Sequence, residues 1–141
     1  MSDNPLATAL EALARLAIPL ELFPQVSDRG VAGEERIYLR ANQRVFLRDY
    51  LLLVGVRLLD NSTFPSPHHV LWLGNDVLEA GTWLIVHTGP GAPLVTYIRG
   101  TNEPARVLYW HKPTTLFDDP RVVPVLVRFD PAGAQFGQPP A

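Results

Sequence analysis

The chain has 141 residues, 47% of them hydrophobic and only 18% charged, with a net charge of −2. These values suit one packed domain and exclude a protein drawn onto nucleic acid or anionic lipid by its overall charge. It has no cysteine, which excludes disulfides, thiolate nucleophiles and zinc–thiolate centres.

Residues 4–17 read as a helix. Asn4 is its cap, Pro5 suits its first turn, and Pro19 ends it. Leu6, Leu10, Leu13, Leu16 and Ala17 form one apolar stripe, and Glu11 and Arg15 are a favourable pair four residues apart. The segment lacks the basic start and unbroken apolar core of a signal peptide, and no window approaches a membrane span, so a cytoplasmic chain without membrane contact is expected.

Beyond Pro19 the pattern is that of strands, expected at 20–23, 36–41, 45–53, 54–59, 70–73, 82–88, 94–99, 106–110 and 122–129. Turn residues separate them, among them Asp60-Asn61-Ser62, Pro65-Ser66-Pro67, Gly74-Asn75-Asp76, Gly89-Pro90-Gly91 and Gly100-Thr101-Asn102. Pro124 marks the last strand as an edge or a bulge. Eight or nine short strands after one helix predict an all-β sandwich or small barrel. The expected organisation is a helical segment over 1–19, a β-sandwich domain over 20–130 and a flexible Pro/Gly-rich tail over 131–141.

The segment 36–50 interleaves two sequences. Ile37, Leu39, Ala41, Val45 and Leu47 alternate with Arg36, Tyr38, Arg40, Arg44, Phe46, Arg48 and Tyr50. If it is a hairpin, a three-residue turn at Asn42-Gln43-Arg44 keeps both faces consistent, setting Ala41 against Val45 and Arg40 against Phe46. Arginine–aromatic pairs can order such a face by themselves; the same residues also suit docking to a protein or stacking of bases. Glu34, Glu35 and Asp49 dilute its positive charge. Arg36, Tyr38, Arg40, Phe46, Arg48 and Tyr50 are therefore the candidate partner contacts. A protein partner or self-association is expected first, and nucleic acid second.

No catalytic pattern stands out. His68, His69, His87 and His111 fit no metal-ligand spacing, and Ser2, Ser27, Ser62 and Ser66 lie outside any nucleophile motif. Asp118-Asp119-Pro120 reads as a turn, and Gly89-Pro90-Gly91 lacks the lysine of a phosphate loop. A non-enzymatic module with no cofactor and no metal is expected.

Three stretches resemble the lamin-tail domain. Ile37-Tyr38-Leu39-Arg40-Ala41-Asn42 is similar to its strand ending at an asparagine, and 45–52 to the segment that follows. Leu78-Glu79-Ala80-Gly81-Thr82-Trp83-Leu84-Ile85-Val86 is similar to its glycine turn leading into an apolar strand. Arg48-Asp49-Tyr50 stands where the family usually has a small residue, glycine and tryptophan. The likeness spans roughly 36–129 and implies an immunoglobulin-like β-sandwich acting as a non-catalytic binding or scaffolding module.

Overall fold

A computed structural model of the chain describes residues 4–16, 18–130, 133–135 and 137–140. Ala17, the last member of the expected leucine stripe, and four positions of the expected tail, 131, 132, 136 and 141, lie outside these. Helix α1 runs over Pro5–Leu16. Asn4 caps it as expected, its Oδ1 accepting from the amides of Leu6 at 3.0 Å and Ala7 at 3.3 Å.

Ten strands follow among the described residues: β1 Leu20–Leu22, β2 Arg36–Ala41, β3 Val45–Phe46, β4 Tyr50–Arg57, β5 Thr63–Trp72, β6 Val77–Leu78, β7 Trp83–His87, β8 Leu94–Tyr97, β9 Pro104–Tyr109 and β10 Val122–Arg128. They form a five-stranded sheet in the order β1-β2-β7-β9-β8, a three-stranded sheet β10-β4-β5 and the small pair β3-β6. All pairs are antiparallel except β7 with β9. The protein is thus mostly β, with one short helix and several open sheets.

One hydrophobic cluster joins the sheets. Ile37, Leu39 and Ala41 of β2 and Leu84 and Val86 of β7 contribute from the first sheet, Leu52 and Val54 of β4 from the second, with Val45, Leu47, Leu78, Trp110 and Phe117. Strict alternation in β2 and β7 is what turns these residues inward.

Strands 36–41 and 45–53 do not form a hairpin. β2 pairs with β1 and β7, while β3 pairs with β6. The expected 45–53 strand is broken by a 3₁₀ turn at Leu47–Asp49. Three residues advance there without alternating, so the buried set shifts from odd positions (Val45, Leu47) to even ones (Tyr50, Leu52, Val54). The Leu47 amide donates to the Asp76 carbonyl at 3.0 Å, and the Trp72 indole donates to the Arg48 carbonyl at 3.0 Å. These bonds anchor the turn.

The expected turn at Pro65-Ser66-Pro67 lies within β5. An edge strand tolerates proline because its outward amide has no ladder partner to lose, and a register shift opposite Leu53/Val54 absorbs the irregularity. β10 is also an edge, as Pro124 predicts.

Long-range order between loops rests on two residues of opposite charge in 27–35. Glu35 is fully buried. Its Oε1 accepts from the Leu116 amide at 2.7 Å and the Thr88 hydroxyl at 3.3 Å; its Oε2 accepts from the amides of Gly30 and Phe117, both at 2.9 Å. Arg29 reaches the same connection from the other side. Its Nη1 donates to the carbonyls of Val122 at 2.6 Å and of Phe117 and Asp119 at 3.3 Å, and its guanidinium lies 5.6 Å from the Phe117 ring centre.

Beside this network two glycines meet. A Cβ on Gly89 would stand 2.9 Å from Gly33 Cα, a backbone atom that cannot swing away. Gly89→Ala is therefore expected to lower the unfolding free energy by about 1–3 kcal/mol in chemical denaturation. Gly137→Ala, with nothing within 4 Å, should leave it unchanged.

Candidate partner-binding surface

The half of each alternating strand that faces away from the core builds a second surface. Register aligns Tyr38 with Ile85, Ile85 with Val107 and Val107 with Leu94, one apolar row across four strands. Arg40, Trp83, Ala105 and Thr96 make the next row, and Arg36, His87 and Tyr109 the row on its other side. Phe23 extends the surface past β1, its ring 5.0 Å from that of Trp83. Ala105 and Val107 are buried yet stand apart from the main hydrophobic cluster, as members of this opposite face. Most of the other side chains are half-exposed.

The arginines here are already engaged. Arg36 meets Asp28 at 2.6 Å. Arg40 lies 3.8 Å from Glu103 and 5.8 Å from the Trp83 ring centre, and Glu103 also accepts from the Trp83 indole at 3.0 Å. Glu103 thereby fixes both the ring and the cation beside it. His87 stacks on Tyr109 with ring centres 4.9 Å apart. Burial first, and then the Arg36 charge, push the His87 pKa below its ordinary value; Glu34 opposes them.

The six residues expected to share one face are distributed over three places. Arg36, Tyr38 and Arg40 lie together on the outer face of the five-stranded sheet. Phe46 and Arg48 stand at the β3 corner, where the guanidiniums of Arg44 and Arg48 approach the Phe46 ring at 5.8 and 5.2 Å. Tyr50 is a core residue, with Arg128 6.0 Å from its ring centre. Burial raises its phenol pKa against the lowering effect of Arg128. The separate pairing of β2 and β3 parts the first three from Phe46 and Arg48, and the parity change at Leu47–Asp49 turns Tyr50 inward.

Conversely, the fold adds Phe23, Trp83, Ile85 and Leu94 to the arginine–aromatic face. The alternation of Trp83, Ile85 and His87 is visible in the sequence, but only the pairing of β7 with β2 identifies which side is outward. Asp119 lies in a turn, as Asp118-Asp119-Pro120 predicts. Hydrogen bonds from the Arg121 side chain and amide hold its carboxyl pKa down at about 2. Among the described residues no three histidine or carboxylate side chains converge on a common point that could hold a metal ion, and no helix is long and apolar enough to cross a membrane.

Comparison with protein-family models, curated proteins and solved structures found no match. The chemistry of this face has to be read from its own residues.

His87 gives a direct probe of that chemistry. Because its folded pKa is depressed, the stability it contributes is fully present above the unfolded value near 6.5 and is lost as pH falls through the lower folded value. In an NMR titration its imidazole should have a midpoint below 6.5, and Arg36→Gln should move that midpoint upward. A midpoint unmoved by Arg36→Gln would mean that Arg36 exerts no field on the ring.

Proposed function

We propose that the protein is a non-enzymatic binding module that docks a protein partner on the outer face of its five-stranded sheet. One observation carries this reading: an apolar row, Tyr38-Ile85-Val107-Leu94, is flanked by aromatic rings and by arginines whose charges Asp28 and Glu103 offset. Protein interfaces combine an apolar centre with tyrosine, tryptophan and arginine anchors and a polar rim, and this surface has that composition. Ion pairing of Arg36 and Arg40 favours a protein over nucleic acid, because a phosphate would first have to displace a carboxylate from each guanidinium. We read the β-rich fold as an immunoglobulin-like sandwich, which, with the resemblance to lamin-tail domains, suits a scaffolding role.

Nucleic-acid binding is the alternative class, and salt separates the two. Titration with a single-stranded oligonucleotide across ionic strength should give no binding, or a weak response without the steep salt slope of phosphate contacts. A steep slope that disappears in Arg40→Ser would transfer the assignment to nucleic acid. For the protein-docking reading, the double substitution Tyr38→Ser/Arg40→Ser should abolish capture of the native partner while shifting unfolding by no more than about 1 kcal/mol, since both side chains are half-exposed. Intact capture by that variant would remove this face from the interface.

A further inference from the structure

We infer that β8 is a pairing edge that joins β8 of a second copy of this chain, antiparallel, making one continuous sheet from two. β8 is the last strand of its sheet, so one side of its backbone has no ladder partner among the described residues. The Ile98 amide donates to the Glu103 carbonyl at 2.9 Å, which fixes the side that each residue serves. In the same register Thr96 and Ala105, and Leu94 and Val107, are hydrogen-bonded pairs, while Val95 and Tyr97 lie between them. Val95 and Tyr97 therefore turn both amide and carbonyl to the open side. The complement of such a row of donors and acceptors is another extended strand.

The other outer edges of the two larger sheets are blocked. β1 is only three residues long, carries Glu21 and lies between Pro19 and Pro24. β5 contains Pro65 and Pro67, and β10 contains Pro124. From Leu94 to Ile98 there is neither proline nor charge. The side chains of β8 call for a neighbour as well. Val95 and Tyr97 stand on the same side of the sheet as the core residue Leu84, yet they are 68% and 66% exposed.

The register selects the occupant. Two-fold pairing centred on Thr96 sets Val95 against the second copy's Tyr97, and Tyr97 against its Val95. The resulting four hydrogen bonds use every outward amide and carbonyl of both strands. Each of these pairs joins a β-branched side chain to an aromatic ring; on the opposite face Thr96 meets Thr96 and Leu94 meets Ile98. Both faces of the sheet keep their sides, as a two-fold axis through the sheet requires. The neighbouring symmetric registers are poorer. One brings Pro93, which has no amide, opposite Tyr97. The other brings Arg99 opposite Val95, and Arg99 already lies in the turn that the Thr101 amide closes on the Ile98 carbonyl at 3.0 Å. In the chosen register Arg99 falls beside Pro93, so no like charges meet. Five residues per copy make a small interface, and the dimer is weak and reversible. Its bonds belong to the backbone, so the inference stands independently of docking on the outer sheet face.

Sedimentation equilibrium of the full chain, from micromolar to millimolar concentration, tests it. The expected result is a reversible monomer–dimer equilibrium. Tyr97→Pro removes an outward amide and no bond to β9, and it should raise the dissociation constant by at least about tenfold. Cross-linking tests the register without relying on that variant. The chain has no cysteine, so Thr96→Cys places one thiol per copy at the two-fold axis. Facing residues of a non-hydrogen-bonded pair have Cα atoms about 4.5 Å apart, within disulfide reach, and mild oxidation should link the two copies. Leu94→Cys would hold its thiols roughly 13 Å apart and should not link. A monomer at every concentration, a dimer that survives Tyr97→Pro, or equal cross-linking of the two cysteine variants would overturn the inference.

Discussion

A single buried carboxylate organises the part of this protein that is not sheet. Glu35 sits at the head of β2 with every side-chain contact a donor: one peptide amide from its own loop, two from the distant β9–β10 connection and one hydroxyl from just past β7. A carboxylate accepts only, so its four contacts match its chemistry. Buried without them it would be strongly destabilising; with them it fixes the 27–34 loop and the long connection from β9 to β10 against the first sheet. Arg29 binds that same connection through its carbonyls. One short loop thus supplies a negative group for amides and a positive group for carbonyls. The buried backbone polar groups of an irregular segment are satisfied without a strand or helix.

That anchoring bears on the outer face as well. β7 ends at His87, and Thr88 follows it directly. The Thr88 amide donates to the Glu35 carbonyl and the Thr88 carbonyl accepts from Lys112, so the ends of β2, β7 and β9 are held in one register. The rows Tyr38-Ile85-Val107-Leu94 and Arg36-His87-Tyr109 exist only in that register. With eleven of its twelve basic residues arginine, the chain spends many of these cations locally: Arg36, Arg40, Arg44, Arg106 and Arg121 all face carboxylates within 4.0 Å. A surface rich in arginine is therefore weakly basic in effect. It is suited to flat, stacking contacts more than to phosphate.

Features that depend on neighbours in sequence were legible. The Asn4 cap, the alternation within β2 and β7, the glycine turn at Gly100 and the edge position of β10 follow from spacing and backbone preference alone. Features that depend on pairing were not. The parity of 36–50 is correct up to Leu47, and then a 3₁₀ turn reverses it, because Leu47 is tied to Asp76 and the Arg48 carbonyl to Trp72 across the chain. Tyr50 passes from an expected surface contact to the core for that reason. Glu35 shows the same limit more sharply. Beside Glu34 it reads as one of two surface acids diluting a basic patch, and nothing local distinguishes it. Its partners at 88, 116 and 117 come together only in the fold.

Equilibrium chemical denaturation of Glu35→Gln tests the organising role most directly. Each carboxylate oxygen faces a peptide amide, so either orientation of glutamine turns its NH₂ toward an N–H and leaves a buried donor unsatisfied. The expected result is a loss of about 3 kcal/mol or more in unfolding free energy from a change of one atom. A loss within about 0.5 kcal/mol, the range of an ordinary surface substitution, would contradict the claim that Glu35 holds these loops together.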